Sequence, residues 1–449
     1  MQELTNATPK ARIVYVGGEK GRVALTKNFA EAGYALIAQE NASGADIGLI
    51  DLRGKIVSGK KAQAIANLLR RKSPESSVVI VIDPYLDAPA RKVLRRYGEL
   101  VAIGEKPDAL IARCRHILRL RNIAEESGER LKSLATLSRL AEFPPIAAPQ
   151  TPLRVLVAGE AGPVALSAVN AVRPVTEQCI CVFSAGQAMR AIDAMRFDCA
   201  VFLPTRENDP LNSLAKALKR HPKHNSLPVV FPLHDPDDAD VYAKRGASDF
   251  ILTNHVGADL PVKLQVVSRR ARLLKTMRRF LNACEGDGVR DSASGAFTAT
   301  FLAEHGARLC SRADQSGRPL SLIILKIHTA SRERGEPEPG RRALHQAARL
   351  INRVTRAEDT TVRIAADTFL VLAPATTEEN AHLASLRIQG VMENTVFRSA
   401  DDQLLYSVRI ETAAIARPEG FCIEECVALA IKALQESASL KPLSQQSLQ

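Results

Sequence analysis

The sequence predicts an α/β protein, with two open parallel-sheet domains followed by a third, mixed α/β domain. Three observations predict it. Residues 11 to about 120 and residues 152–260 each alternate short apolar strands with helical stretches, the pattern of βαβ units. A proline-rich stretch, Phe143-Pro144-Pro145-Ile146-Ala147-Ala148-Pro149, separates the two. Beyond residue 276 the pattern changes to helix, strand, helix and hairpin. A length of 449 residues suits about three domains of ~150 residues. The expected boundaries are 1–122, a linker helix and proline-rich linker over 123–151, then 152–275 and 276–449 with a flexible C-terminal tail.

In the first domain, strands are expected at Arg12–Val16, Ile47–Asp51, Val78–Ile82 and Leu100–Ile103, with helices including Lys60–Leu69 and Ala88–Arg96. Ligands of such sheets bind beyond the carboxyl ends of the strands, and Asp51 stands at one of those ends. Ala112 to Leu140 reads as one long helix whose Lys, Arg and Glu are most simply a solvated face. The second domain repeats the strands at Leu153–Ala158, Cys199–Leu203, Pro228–Phe231 and Asp249–Leu252. Pro261 to Ala283 reads as a further helix.

Composition narrows the function. Hydrophobic residues make up 46% of the chain, enough for each domain to bury a core. Aromatics are 4% with no Trp, which argues against stacking on single-stranded nucleic acid. The net charge of +12 is scattered over many helices and not blocked, which argues the same way. No apolar run approaches about 18 residues, so no membrane insertion is expected. The polar stretch Met1 to Asn6 lacks a signal-peptide core, so a cytoplasmic protein is expected. The eight Cys show no CxxC spacing, and none has a His in metal-ligand register. They read as structural thiols in a reducing compartment. His221, His224 and His234 lack carboxylate partners in register and read as surface side chains. No metal or cofactor is expected.

In the third domain, Leu344, Ala347, Ile351 and Val354 repeat at helical spacing. Arg356-Ala357-Glu358-Asp359 follows that helix, and then a hairpin from Thr361–Ile364 to Phe369–Leu372. Its turn, Ala365-Ala366-Asp367, lacks the Gly or Asn that hairpin turns favour.

An Arg-x-x-Asp at this distance upstream of a hairpin resembles the GGDEF domain of diguanylate cyclases, which condense GTP to cyclic di-GMP. In that family the hairpin turn reads Gly-Gly-(Asp/Glu)-Glu-Phe. Here it reads Ala365-Ala366-Asp367-Thr368-Phe369. The glycines let the backbone approach the triphosphate and permit positive φ. The family's opening Asp and Gly survive as Asp291 and Gly295, but its two Arg are lost. Where its first strand offers a Mg²⁺-binding Asp stands Lys326, and a cation there would repel Mg²⁺. Its guanine-reading Asn and Asp fall near Arg334 and at Arg341, and its phosphate-steadying Lys at Ala433. The resemblance therefore implies no catalytic residues and no cyclase activity. It also implies a retained inhibitory site for cyclic di-GMP, formed by Arg356, Asp359 and Arg387, with Arg363 as a further cation near the phosphates. Arg356 would present a planar fork to guanine or phosphate, and Asp359 would accept from guanine N1–H and N2–H₂.

The first domain resembles response-regulator receivers, which have a flavodoxin-like fold. Asp51 falls at the phosphoacceptor position and Lys106-Pro107 at the family's Lys-Pro, but Gly17-Gly18, with Glu19 close behind, replaces the Mg²⁺-binding acidic pair. Glu19 is a remote substitute for that pair, which Asp83 would assist, and the family's hydroxyl residue after the fourth strand falls at Ile82 or Asp83. The second domain resembles a receiver stripped of chemistry, with Leu203 at the acceptor position and Asn254 at the Lys. The order receiver, receiver, GGDEF is that of PleD-like response regulators, and the eroded signature is nearest their noncatalytic members. That resemblance implies a cyclic di-GMP effector that crosslinks its third domain to the second or to another protomer, as in a homodimer. It further implies recruitment of adaptor and substrate proteins to an ATP-dependent protease, at the cell pole, during the cell cycle. A weak or conditional cyclase switched by phosphorylation of Asp51 is the rival reading, and a scaffold without either ligand is a third.

Overall fold

A computed structural model describes residues 9–38, 45–53, 64, 67, 77–82, 88–94, 99–102, 107–137, 152–206, 208–221, 223–283, 289–329, 341–398 and 405–439. The chain divides into two compact units. One comprises residues 12–120 and 145–276, the other residues 1–11, 121–144 and 277–449.

The first unit holds two parallel sheets. The first contains β1 (Ala11–Val16), β2 (Tyr34–Ala38), β3 (Ile47–Asp51), β4 (Ser77–Ile82) and β5 (Glu99–Ala102), in spatial order 2-1-3-4-5. Helices α1 (Glu19–Glu31) and α2 (Ala88–Leu94) belong to it, and α3 (Asp108–Leu137) follows. Strands β3 and β4 are buried almost throughout, as the unbroken apolar runs of a covered parallel sheet require. The expected helix at Lys60–Leu69 lies outside the described residues, apart from two positions.

The second sheet contains β6 (Leu153–Gly159), β7 (Thr176–Val182), β8 (Cys199–Leu203), β9 (Val229–Leu233) and β10 (Asp249–Leu252). Its order, 10-9-8-6-7, is the same flavodoxin-like arrangement. Between its strands run α4 (Pro163–Val172), α5 (Ala185–Ala194), α6 (Pro210–Arg220) and α7 (Ala239–Lys244), and α8 (Val256–Ala283) closes it. Helix α8 starts a turn before Pro261, because Val256 and Leu260 are fully buried and hold that turn against the sheet. Leu203 ends β8 as Asp51 ends β3. A Cβ at Gly159 would meet the Leu203 carbonyl at 2.7 Å, so glycine is required there.

Buried charges tie the two sheet domains of this unit together. Arg91 of α2 pairs with Asp259 of α8 at 2.9 Å. Arg113 of α3 pairs with Asp249 of β10 at 2.7 Å, and Lys263 joins the same carboxylate at 2.8 Å. Burial raises the Asp249 pKa, but Arg113 and Lys263 outweigh it and hold the group below its ordinary value. His224, expected to lack a carboxylate partner, lies 2.9 Å from Asp193 of α5, 31 residues earlier in the chain.

The second unit contains α9 (Ala299–Ser316), β11 (Leu320–Thr329), α10 (Arg341–Val354), β12 (Thr360–Arg363), β13 (Thr368–Pro374), α11 (Glu378–Glu393), a small hairpin of β14 (Phe397–Arg398) and β15 (Leu405–Tyr406), β16 (Val408–Ala416) and α12 (Ile423–Ser439). Four strands form an antiparallel sheet ordered 12-13-11-16. Ala343, Leu344, Ala347, Ala348 and Ile351 of α10 and Ala381 and Ile388 of α11 pack on Ile323, Leu325, Phe369 and Val371 of the sheet.

Residues 121–137 of α3 belong to this unit, and here the expectation of a solvated helix fails. The Glu126 and Arg130 side chains are only 1% and 4% exposed. The Glu126 carboxylate pairs with Arg130 at 2.7 Å, lies 3.0 Å from His305 Nε2, and accepts from the Thr360 hydroxyl at 3.2 Å. Arg130 Nη2 donates to Thr360 Oγ1 at 2.6 Å. One residue earlier, Glu125 pairs with Arg312 at 2.8 Å and with Arg318. These partners lie more than 170 residues away in sequence, so helical periodicity could not reveal them.

Candidate functional site

The hydrophobic stripe of α10 fixes one face on the sheet and turns His345, Arg349, Asn352 and Arg353 outward. The helix ends where the Thr355 hydroxyl and amide both donate to the Ile351 carbonyl, at 2.9 Å each. Arg356–Asp359 then form a closed turn. The Arg356 amide donates to Asp359 Oδ2 at 2.7 Å, and the Asp359 amide donates to the Arg356 carbonyl at 3.2 Å. Arg356 remains exposed, with Nη1 donating to Thr376 Oγ1 at 3.2 Å. Asp359 Oδ1 is buried without a hydrogen-bond partner. Burial, then the neighbouring Glu358 charge, push the Asp359 pKa up to about 7 against the opposing pull of Arg356.

Arg356 and Asp359 line a cavity of about 1010 Å³. Its other walls are the outward face of α10, the segment Arg290–Phe297, Leu281, Thr361 and Arg130. Five arginines therefore face one space: Arg130, Arg290, Arg349, Arg353 and Arg356. Arg387 is exposed on α11 and stands outside this lining. Sequence reasoning missed Arg349 and Arg353, although their four-residue spacing on a polar helix face was visible. Arg130 and Arg290 carried no local signal.

The segment 290–297 shows why Asp291 and Gly295 persist. Asp291 Oδ2 accepts from the Ser294 amide and hydroxyl at 2.8 and 2.7 Å. Gly295 takes a left-handed φ of 75°. Phe297 then stitches the segment to β12, its amide donating to the Thr361 carbonyl at 3.0 Å and its carbonyl accepting from the Arg363 amide at 2.8 Å.

The hairpin turn forms without glycine. Neither Ala365 nor Ala366 has positive φ, and the four residues between β12 and β13 close with Ile364 N–H donating to the Thr368 carbonyl at 3.0 Å. Arg363, read in sequence as a cation for phosphates, is committed here. It donates to the Ala365 and Ala366 carbonyls at 3.1 and 2.7 Å and pairs with Asp291 at 3.0 Å. Lys326 sits opposite Thr368 on β13 and Glu411 on β16. Glu411 faces His328 at 3.0 Å. Among the described residues no group of three or more His, Cys, Asp or Glu is placed to hold a metal. An ammonium at position 326 beside a hydroxyl does not fit Mg²⁺, which takes hard carboxylate oxygens.

In the first unit, Asp51 is buried at the end of β3 as expected. Both its oxygens are engaged. Arg53 Nη2 lies 2.6 Å from Oδ2 and Arg53 Nε 3.0 Å from Oδ1, while the Tyr15 hydroxyl donates to Oδ2 at 3.0 Å. Burial raises the Asp51 pKa, but Arg53 outweighs it and holds the group below its ordinary value. Burial, then the Asp51 charge, raise the Tyr15 pKa. Glu19 is exposed and pairs with Arg22 at 2.6 Å. Asp83 and Lys106 lie outside the described residues.

A family model of the diguanylate cyclase GGDEF domain matches residues 289–441. Comparison with curated protein sequences finds no match. Among solved structures, the chain is similar to the GGDEF domain of DgcB from Caulobacter crescentus in complex with c-di-GMP, at 15% identity over 34% of this chain and 90% of that one, with a TM-score of 0.32. It is also similar to the FimX GGDEF domain from Pseudomonas aeruginosa, at 15% identity over 34% and 95%, TM-score 0.32. A third similar structure is the diguanylate cyclase SiaD in complex with its activator SiaC from Pseudomonas aeruginosa, at 22% identity over 40% and 70%, TM-score 0.32. Residues 289–441, which hold the four-stranded antiparallel sheet and both walls of the hairpin, are thus a GGDEF domain of the diguanylate cyclase type.

Proposed function

We propose that the protein is a noncatalytic cyclic di-GMP effector, which binds the dinucleotide at Arg356 and Asp359 and acts as a scaffold for protein partners. The observation that carries this reading is the pairing of an exposed guanidinium with an unpartnered buried carboxylate oxygen on one cavity. The carboxylate suits guanine N1–H and N2–H₂, and the fork suits O6/N7 or phosphate. Arg387, placed by the family resemblance, is an outer contributor on α11. Lys326, Thr368 and an alanine turn held by Arg363 support the absence of synthesis.

The likeness to PopA, the noncatalytic PleD paralogue, in domain order and eroded signature supports a role in regulated proteolysis. Adaptor and substrate proteins of an ATP-dependent protease are the proposed partners, at the cell pole. Calorimetric titration of the full chain with cyclic di-GMP, beside a GTP turnover assay, tests the reading. Saturable binding at micromolar ligand is expected, with no product from GTP and Mg²⁺ above a protein-free blank. Arg356→Ala should weaken binding about ten- to a hundredfold, and Arg356→Lys should recover little. Turnover abolished by Asp367→Ala would establish the conditional cyclase instead.

The first receiver-like domain is proposed to work without phosphate. Because Arg53 and Tyr15 occupy the Asp51 oxygens, incubation with acetyl phosphate and Mg²⁺ should leave the intact mass unchanged. A phosphorylated species absent from Asp51→Asn would overturn this.

A further inference from the structure

We infer that the outward face of α10 is a phosphate subsite of this cavity, in which Arg349 and Arg353 hold the phosphate oxygens of the bound dinucleotide. The inference rests on the proposed cyclic di-GMP site at Arg356 and Asp359. Arg349, Arg353 and Arg356 follow one another by four and three residues, which brings them to one side of the chain. All three line the same cavity of about 1010 Å³. That volume is at the upper end of small-ligand pockets, so a dinucleotide is of the right size.

The arginines of the lining are not equivalent. Arg130 is consumed by Glu126 and Thr360. Arg290 donates to the Gly295 carbonyl at 3.1 Å and lies 3.7 Å from the centre of the Phe297 ring. Arg349 and Arg353 are exposed and make no hydrogen bond or ion pair with any described residue. Like charges one helical turn apart repel by a few tenths of a kcal/mol, and no acidic residue offsets this pair. The lining holds two carboxylates, and Asp291 is already bound to Arg363. The surplus charge therefore favours a polyanion. Two guanidinium forks suit phosphate, whose oxygens accept parallel N–H bonds. A guanine read by Asp359 would leave its phosphates beside that face. Arg387, outside the lining, would contribute less.

The test is calorimetric titration of the full chain with cyclic di-GMP at two salt concentrations. The double variant Arg349→Gln/Arg353→Gln is compared with Arg409→Gln/Lys432→Gln, which removes two exposed charges outside the cavity lining. Melting curves confirm folding. Expected is a loss of tenfold or more in the cavity variant, with a shallower salt dependence, and less than threefold in the charge control. If the cavity variant binds like wild type while Arg356→Ala is impaired, the subsite is overturned and the cyclic di-GMP reading stands. If the cavity variant loses no more than the charge control, the subsite is likewise overturned. If wild type shows no saturable binding, both fall.

Discussion

Glu126→Ala should destabilise the unit containing the GGDEF domain by about 3–5 kcal/mol, the largest effect of any single substitution proposed for this chain. The carboxylate is 1% exposed and serves Arg130, His305 and Thr360 at once. Its removal strands a guanidinium that is itself only 4% exposed. Burial raises the Glu126 pKa, but His305 and Arg130 outweigh it, so the folded value lies below 4.5. The pair's stabilisation is therefore present above pH 4.5 and is lost as pH falls through the folded value. Urea unfolding at pH 7 should show the full deficit, and the gap to wild type should narrow in acid. Glu126→Leu combined with Arg130→Met should recover most of the loss, because apolar groups of similar shape leave nothing unpaired. Equal unfolding midpoints for wild type and Glu126→Ala would contradict the network.

Asp359→Asn should move stability and binding in opposite directions. The folded pKa of Asp359 is raised from 3.8 to about 7, by burial first and Glu358 second, with Glu126 adding to Glu358 and Arg356 opposing both. A raised carboxylate pKa means that the stabilising, neutral form is fully present below pH 3.8 and is lost as pH rises through 7. At pH 8 the wild type therefore holds a poorly solvated charge. The amide keeps an acceptor for the Arg356 N–H and removes that charge, so the variant should be more stable at pH 8 by about 1–3 kcal/mol, with a smaller gain at pH 5. Binding follows the opposite logic, since guanine donors need the ionised carboxylate. Wild-type affinity should fall by up to about tenfold per pH unit below 7, and the variant should bind about tenfold more weakly at pH 8, without that pH dependence. Melts and titrations at pH 5, 7 and 8 measure both. A variant that melts below wild type at pH 8 would refute the account of a costly buried charge.

Local signals carried much of this structure. The two parallel sheets were visible as apolar runs such as Ile47–Asp51 and Cys199–Leu203, and α10 as the stripe from Leu344 to Val354. Strand β2 escaped notice because five apolar residues in a row carry no alternation and can equally belong to the end of a helix. The Arg-x-x-Asp turn was legible through its distance from the hairpin. Its closure by Asp359 on its own backbone was not, because a helix and a turn place residues three apart at similar separations. The cavity was legible only on one side. Arg349 and Arg353 follow from helical geometry, whereas Arg130 and Arg290 reach it through contacts that sequence order cannot show. The roles of Glu125 and Glu126 were misread for the same reason: a charged helix looks alike whether it faces water or matching charges.

The long span of the Glu126–Thr360 contact has a consequence for biosynthesis. The two residues are 234 positions apart. At a synthesis rate of 5–20 residues per second, residues 121–137 leave the ribosome roughly ten to fifty seconds before β12 does. Until His305 emerges, Glu126 and Arg130 have only each other and water, and the helix can hold its charges by their four-residue spacing alone. The last strands of the sheet then complete a binding face that has been waiting in solution. A helix built from charged residues waits without aggregating, which an apolar one of the same length would not do.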